Sequence, residues 1–403
     1  MTFNFVVGMQ WGDEGKGKFT DLFAEKHFKV VRYNGGNNSG HTIIKGDKKL
    51  VTHILPSGVM HDHVKNYIVA GTVLDPFILK GEIFNARKIG CKVAPGKNLV
   101  VSERVPLIMP YHIELDRLRE EDLYKEQLGT TKTGVGPAYE DFFARKSIFV
   151  KDLFNFENLF NKISEVLYEK NMLFSANNRR SFEPTLMTEK LYQLGKELKP
   201  YIVSDKNIIS SDDTYLMEGA QAVMLDIIHG YYPYVTSSSV LPEWFFLHYP
   251  MRDRAWSVTG VFKAYATRVG TGPFDTEMEP ETQEIVREIG REWGATTGRP
   301  RKCGWLDLTQ MKKALEVCPV DELAITKSDV IGQLETVYVG VYTHDDGEVE
   351  YMPFRGWGDL SGVTTPADFP ESFKRFLTYI ENVLEVRIKK VSTGPGREQV
   401  VGC

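Results

Sequence analysis

"GMQWGDEGKGK", residues Gly8 to Lys18, closes the first apolar run of the chain, and the reading of this stretch decides the fold. It sits where a phosphate loop would, between a strand-like run and an amphipathic one. It does not match the Walker pattern G-x-x-x-x-G-K-[ST]: Gln10 stands where the first glycine belongs, and Gly17 follows the lysine where Ser or Thr is expected. The loop also carries Asp13 and Glu14. A bare carboxylate beside polyphosphate is repelled, so Asp13 needs a chemical reason to be there. It has one if it binds Mg²⁺ or takes a proton from a substrate activated at that spot. The backbone N–H groups of Gly12 to Lys18 can cradle an anion, and Lys16 would bring a point charge to a terminal phosphate. The plainer alternative is a strand-to-helix turn with solvated charges.

The rest of the composition is that of an ordinary globular chain. Its 403 residues, 42% apolar and 26% charged, can bury a large core. Lys plus Arg number 49 against 54 Asp plus Glu, for a net charge of −5, so no global basic field argues for nucleic acid or an anionic membrane. Any anion site is local. No window approaches the apolar length of a membrane span. "MTFNFVVGMQ" lacks a basic region ahead of its apolar run and reads as a first strand, not as a signal peptide. Cys91, Cys303, Cys318 and Cys403 are scattered without a C-x-x-C pair, which offers no zinc framework and suits a reducing, cytoplasmic setting.

Strand-like and helix-like segments alternate in the first third: "FNFVVG", then amphipathic "KGKFTDLFAEK", then "KVVRYN". A hairpin around Gly46-Asp47, the strand "YIVAGTV", the helix "DPFILKGEIFNARKIG" and the strand "NLVVSE" follow. The pattern predicts an α/β fold, a large, mostly parallel central sheet with helical crossovers. Residues 111–200 are mostly helical in pattern, an excursion interrupted by the loop "GTTKTGVGP". Strands return at "TYLMEG", "VTGVFKAYATRVG", "ELAITKS", "TVYVGVYT" and "VRIKKVST". With no linker, repeat or low-complexity tract, residues 1–403 are expected to form one large domain.

Three more loops carry chemistry. "NGGNNSGHT", residues 34–42, follows the second strand and should open on the same end of the sheet as the first loop. Its glycines allow close approach, Asn38 can read a polar ligand and His41 can donate to a leaving oxygen. "AITKSD", residues 324–329, is an apolar strand ending in T-K-x-D, similar to the guanine-reading element of GTP-binding proteins. An aspartate there accepts from N1–H and the 2-amino group and leaves adenine unmatched; a helix cap is the plainer alternative. "STGPGR", residues 392–397, could complete the base pocket. "GATTGRPRKCGWLD", residues 294–307, joins two hydroxyls, Thr296 and Thr297, to two guanidiniums, Arg299 and Arg301, and would fit a small dicarboxylate.

Together these elements resemble the adenylosuccinate synthetase family. "QWGDEGKGK", "VVRYNGGNNSGHT", "HILPSGV", "GVGPAYEDFFAR", "EGAQAVMLDIIHGYYPYVTSS", "KAYATRVGTGPF", "GATTGRPRKCGWLD", "TKSDV" and "STGP" stand in the family's order from end to end. The resemblance implies a GTP- and Mg²⁺-dependent ligase that joins L-aspartate to C6 of IMP, with a P-loop-like GTP site. It implies that Asp13 takes the N1 proton of the purine and also ligates Mg²⁺ together with the Gly40 carbonyl. Lys16 would hold the γ-phosphoryl group, His41 the departing β-phosphate oxygen, and Gln221 would join them as a catalytic residue. GTP would be bound by Gly12, Glu14, Gly15, Lys16, Gly17, Gly40, His41, Thr42, Arg301, Lys327, Asp329, Ser392 and Gly394. IMP would be read by Asp13, Asn38, Thr131, Gln221, Thr236, Val269 and Arg299. Thr296, Thr297, Arg299 and Arg301 match the aspartate loop. A homodimer is implied as well, with Arg145 reaching the partner's substrate.

The chain departs from the family's pattern at Asn37 and Ser39, at Thr133 where an arginine is usual, at Phe149, at Ala222 and in the segment 239–256, all placed near loops that shape the nucleotide site. These departures keep a second acceptor in view, another 6-oxopurine nucleotide such as dGMP, although a 2-amino group would crowd Asp13. A GTP-binding regulator without ligase activity is the reading from another class. The "GATTGRPR" loop speaks against it, since a switch needs no dicarboxylate site.

Overall fold

The computed structural model describes residues 1–123, 127–209, 213–294, 298–344 and 346–403. Thr2–Gly8 is the strand on which everything else is hung. Phe3, Phe5, Val6 and Val7 are buried on both faces, the pattern of a central parallel strand. It pairs in parallel with Thr214–Ala222 on one side and Ala255–Lys263 on the other. The sheet extends through Lys29–Arg32, Lys65–Ile68, Leu99–Ser102 and Ile202–Val203 in one direction, and through Glu322–Thr326, Ile388–Ser392 and Val400–Gly402 in the other. Val400–Gly402 runs antiparallel at the edge; the other nine strands of this sheet are parallel.

Parallel strands place all their carboxyl ends on one rim, where ligands of open α/β sheets bind. The loops 9–15, 33–40, 327 and 393–399 therefore leave the sheet on the same side. A local irregularity sharpens one of them. Val6 pairs with Glu218 but Gly8 pairs with Ala222, so the strand Thr214–Ala222 bulges at the rim and Gln221 takes the left-handed region at φ 58°.

Two expectations change in detail. "VTGVFKAYATRVG" forms two strands, not one: Ala255–Lys263 stays in the large sheet, and Tyr265–Arg268 joins a second sheet with Lys302–Asp307, Thr336–Thr343 and Val349–Arg355. The "GATTGRPRKCGWLD" segment is not a loop throughout, because its second half is the strand Lys302–Asp307. The hairpin His41–Lys45 with Lys48–Thr52 turns at Gly46-Asp47 as expected. The helical stretch resolves into Pro110–Leu118, Val135–Phe143, Phe156–Ala176 and Pro184–Leu198.

Much of the divergent segment 239–256 is core. Its helix Pro242–His248 buries Trp244, Phe245 and Phe246. Phe245 meets Phe3 at 5.4 Å and Phe246 meets Phe5 at 5.8 Å between ring centres, and the Trp244 indole donates to the Gly71 carbonyl at 2.9 Å. Their bulk fills the face beneath the central strand. Among the described residues no helix is long and apolar enough to cross a membrane.

Candidate active site

The phosphate loop is folded around its own second carboxylate. Glu14 is fully buried and accepts from the backbone N–H of Gly12 at 2.7 Å, that of Gln10 at 3.3 Å, and Lys16 Nζ at 2.6 Å. The pair sits so close to the strand end that a Cβ on Gly8 would lie 2.5 Å from Glu14 Oε2 and 2.8 Å from Lys16 Nζ. Glycine is the only residue that fits there. Gln10 ties the loop sideways, with Oε1 accepting from the Lys263 N–H at 2.8 Å and Nε2 donating to the Tyr265 carbonyl at 3.1 Å. Gly15, at φ 87°, turns the chain into the helix Lys16–Ala24, whose first N–H groups are left for a ligand.

Asp13 projects from this frame with φ 61°. Its Oδ2 lies 2.9 Å from Arg301 Nε as an ion pair, with the N–H off the line to that oxygen. Eight non-glycine residues adopt positive φ among the described residues, and Asp13, Arg145, Gln221 and Lys327 are four of them. Such conformations cost about 1–3 kcal/mol each and gather at functional sites.

His41 is buried beneath the loop; a Cβ on Gly17 would meet its Cβ at 2.8 Å. Its Nδ1 bonds Glu218 Oε1 and lies 3.3 Å from Arg32 Nη1. Glu218, fully buried, also accepts from the Ser57 N–H at 2.8 Å and hydroxyl at 2.6 Å. Burial pushes its carboxyl up, but His41, Arg32 and Ser57 outweigh that and hold it down at about 2. Burial and Arg32 lower the His41 imidazole, against the pull of the Glu218 carboxylate on its Nδ1. Arg32 and Glu218 escaped the sequence analysis. The signal was there: a charge inside an apolar strand, in "VVRYN" and "TYLMEG", must be paired where the strand is buried.

The purine-reading candidates gather at the bulge. Gln221 Nε2 donates to Asn38 Oδ1 at 2.9 Å. Gln221 Oε1, Thr236 Oγ1 and Asn37 Oδ1 are buried without a hydrogen-bond partner. The Thr131 hydroxyl bonds that of Thr133, the residue standing for the usual arginine, at 2.8 Å. Val269 is partly exposed beyond the strand Tyr265–Arg268, Arg299 is exposed, and Arg145 lies exposed past the end of the helix Val135–Phe143. Gly40 leads into His41, and Thr42 is exposed on the hairpin strand.

At the other end of the rim, Lys18 joins the phosphate-loop helix to the C-terminal loop. Its ammonium donates to Ser392 Oγ at 2.8 Å, the Gly394 carbonyl at 2.6 Å and the Gln399 carbonyl at 2.9 Å. Arg397 clamps the same loop with two bonds of 2.5 Å to Asp21. Lys327, with φ 58°, donates to the Gly290 carbonyl at 2.6 Å. Burial raises the nearby Asp329 carboxyl, against the pull of Lys327 and Lys18. Arg301 Nη1 reaches Glu292 Oε2 at 2.5 Å. Thr296 and Thr297 lie outside the described residues.

Among the described residues no three His, Cys, Asp or Glu side chains converge as a metal cage. The donors that the loops do offer, the Asp13 carboxylate and the Gly40 carbonyl, are hard oxygens. They fit Mg²⁺, which keeps waters and takes further ligands from phosphates.

Known proteins carry the same frame. The family profile described as adenylosuccinate synthetase matches residues 5–401. The adenylosuccinate synthetase of Malacoplasma penetrans is 38% identical over 418 residues, covering 98% of this chain and 97% of the relative. That of Bdellovibrio bacteriovorus is 40% identical over 422 residues, with the same coverage. The structure of fully ligated adenylosuccinate synthetase from Plasmodium falciparum superimposes with a TM-score of 0.92 at 33% identity, over 99% of each chain. With its loops, strand order and full length all matched, the chain belongs to the adenylosuccinate synthetase family.

Proposed function

We propose that the chain carries out GTP-dependent ligation of L-aspartate to C6 of IMP, releasing adenylosuccinate, GDP and phosphate. The observation that carries this reading is the joining of two unlike sites through one ion pair: Asp13 of the phosphate loop and Arg301 of the aspartate loop, 2.9 Å apart. A GTP switch has no use for the second member.

In this reading Asp13 accepts the N1 proton of the 6-oxopurine, and O6 then attacks the γ-phosphorus as its bond to the bridging oxygen of GDP breaks. Lys16, held in place by Glu14, offers its charge to the transferring group. His41 donates to the leaving oxygen from Nε2. That requires the imidazolium form, which the anionic Glu218 on the other ring nitrogen stabilises as charge develops. The aspartate amine then attacks C6 and phosphate leaves. Mg²⁺, held by Asp13 and Gly40, supplies charge neutralisation on the phosphates when bound. The unpartnered Gln221 Oε1 and Thr236 Oγ1 offer hydrogen-bonding capacity to the nucleotide, with Asn38, Thr131, Val269 and Arg299 around it. Arg145 would act across a homodimer interface. Lys327, Asp329, Ser392 and Gly394 would read guanine.

The test offers purified protein GTP, Mg²⁺ and L-aspartate with IMP, dIMP, GMP or dGMP in turn, and follows the succinyl-nucleotide by mass. IMP is expected to be the productive acceptor. GTP hydrolysis indifferent to aspartate would defeat the ligase reading.

A further inference from the structure

Glu292 has no part in the steps above, yet three loops of the site meet on it. It lies two residues beyond the helix Pro280–Gly290, after Arg291 turns the chain at φ 51°, and it is fully buried. Its Oε1 accepts from Lys263 Nζ at 2.9 Å and from the Tyr265 hydroxyl at 2.6 Å, while Oε2 accepts from Arg301 Nη1 at 2.5 Å. Lys327 Nζ stands 3.8 Å from Oε1 and donates to the last carbonyl of the helix, Gly290, where the helix dipole is negative. Burial opposes the charge on Glu292, but Lys263, Lys327 and Arg301 together hold its carboxyl well below the usual range.

The cluster thus holds three cations, Lys263, Arg301 and Lys327, against two carboxylates, Glu292 and Asp13. Arg301 is the member that faces both ways, with Nη1 on Glu292 and Nε beside Asp13. A guanidinium held at one end by a buried carboxylate keeps its remaining donors in a defined direction, because the fork is planar and rigid.

We propose that Glu292 is a positioning residue: it aims Arg301 at L-aspartate and, sharing its carboxylate with Lys327, couples the aspartate site to the guanine site. This rests on the reading of Arg301 as an aspartate-binding residue.

Glu292→Asp keeps the buried negative charge but withdraws it by one methylene from Arg301, and from Lys263 and Lys327 as well. The KM for L-aspartate should rise about tenfold or more and the KM for GTP by about threefold, with kcat at saturating aspartate falling less than KM rises. In an Arg301→Ala background the same substitution should change the aspartate KM by less than about twofold, because its effect travels through Arg301. Effects that multiply in the double variant, or an unchanged aspartate KM in the single one, would overturn the proposal. If thermal melting shows that Glu292→Asp does not fold, the pair Glu292→Gln with Lys263→Met removes a buried anion and its cation together and is read against the same outcomes. Wild-type protein that makes no adenylosuccinate sinks the functional reading; wild-type turnover with a normal variant sinks only the role of Glu292.

Discussion

Beneath the phosphate loop, Glu14 accepts three hydrogen bonds, and Glu218 three more from His41 and Ser57. A few residues along the same strand, Gln221 Oε1 has none, nor do Thr236 Oγ1 and Asn37 Oδ1, all buried. A buried polar atom without a partner costs about 1–3 kcal/mol, so the two regions follow opposite rules. The two floor carboxylates are satisfied from within and hold Lys16 and His41 in place. The atoms around Gln221 keep bonding capacity in reserve, the arrangement by which a binding site gains affinity at the expense of fold stability.

The comparison breaks most visibly at Asp13. Asp13→Ala should lower kcat by about 10²–10⁴-fold while GTP still binds; more than a tenth of wild-type kcat in a steady-state assay would remove Asp13 from the role of base. Next in size, Arg301→Ala should raise the aspartate KM by the equivalent of about 2–5 kcal/mol with the GTP KM little changed, and lysine should rescue poorly because it lacks the paired donors. An effect confined to GTP would move this loop to phosphate binding. Asp329→Asn should weaken GTP by about 1–3 kcal/mol and admit xanthosine triphosphate, whose C2 carbonyl accepts from the new amide. Competition kinetics with both nucleotides measure this directly.

A smaller effect sharpens the contrast itself. Thr236→Val removes an unpartnered hydroxyl at nearly constant shape, so the IMP KM should rise about tenfold while the melting temperature stays level or climbs. Parallel losses of stability and binding would mean that Thr236 is paired in solution and that the pocket follows the floor's rule. The smallest effect is one of pH. Burial pulls the Lys18 ammonium down to about 8 despite Asp329. Below that value its three protons serve three oxygens of the C-terminal loop; above it one bond is lost, and the GTP KM should climb a few-fold as pH passes about 8. Lys18 is lowered in the folded chain relative to its usual 10.5, so its contribution to stability runs the other way. The buried charge destabilises below about 8, and that penalty is relieved between 8 and 10.5. A rising GTP KM without falling stability over this range separates local loosening from unfolding.

The order of strands and loops was legible because each loop follows an apolar run and carries residues whose chemistry is specific: Asp13 in a phosphate loop, T-K-S-D at a strand end, two arginines after Gly298. The break of "VTGVFKAYATRVG" was not legible, since a buried run reads the same whether it stays in one sheet or crosses to another at Ala264. Nor was the place of Pro242–His248, whose aromatic residues suit a core and a nucleotide loop alike until Phe3 and Phe5 are seen beneath them.

What the sequence alone determined is the order of the charged loops and the rim on which they stand, because strand, turn and charge type are local properties. Which charges neutralise one another was decided only in three dimensions. Arg32 and Glu218 are 186 positions apart in the chain, and Glu292 meets Lys263, Arg301 and Lys327 from three different elements. A carboxylate in a sequence carries no mark of its partner; its burial does, since a charge removed from water persists only where the fold brings the opposite charge to it.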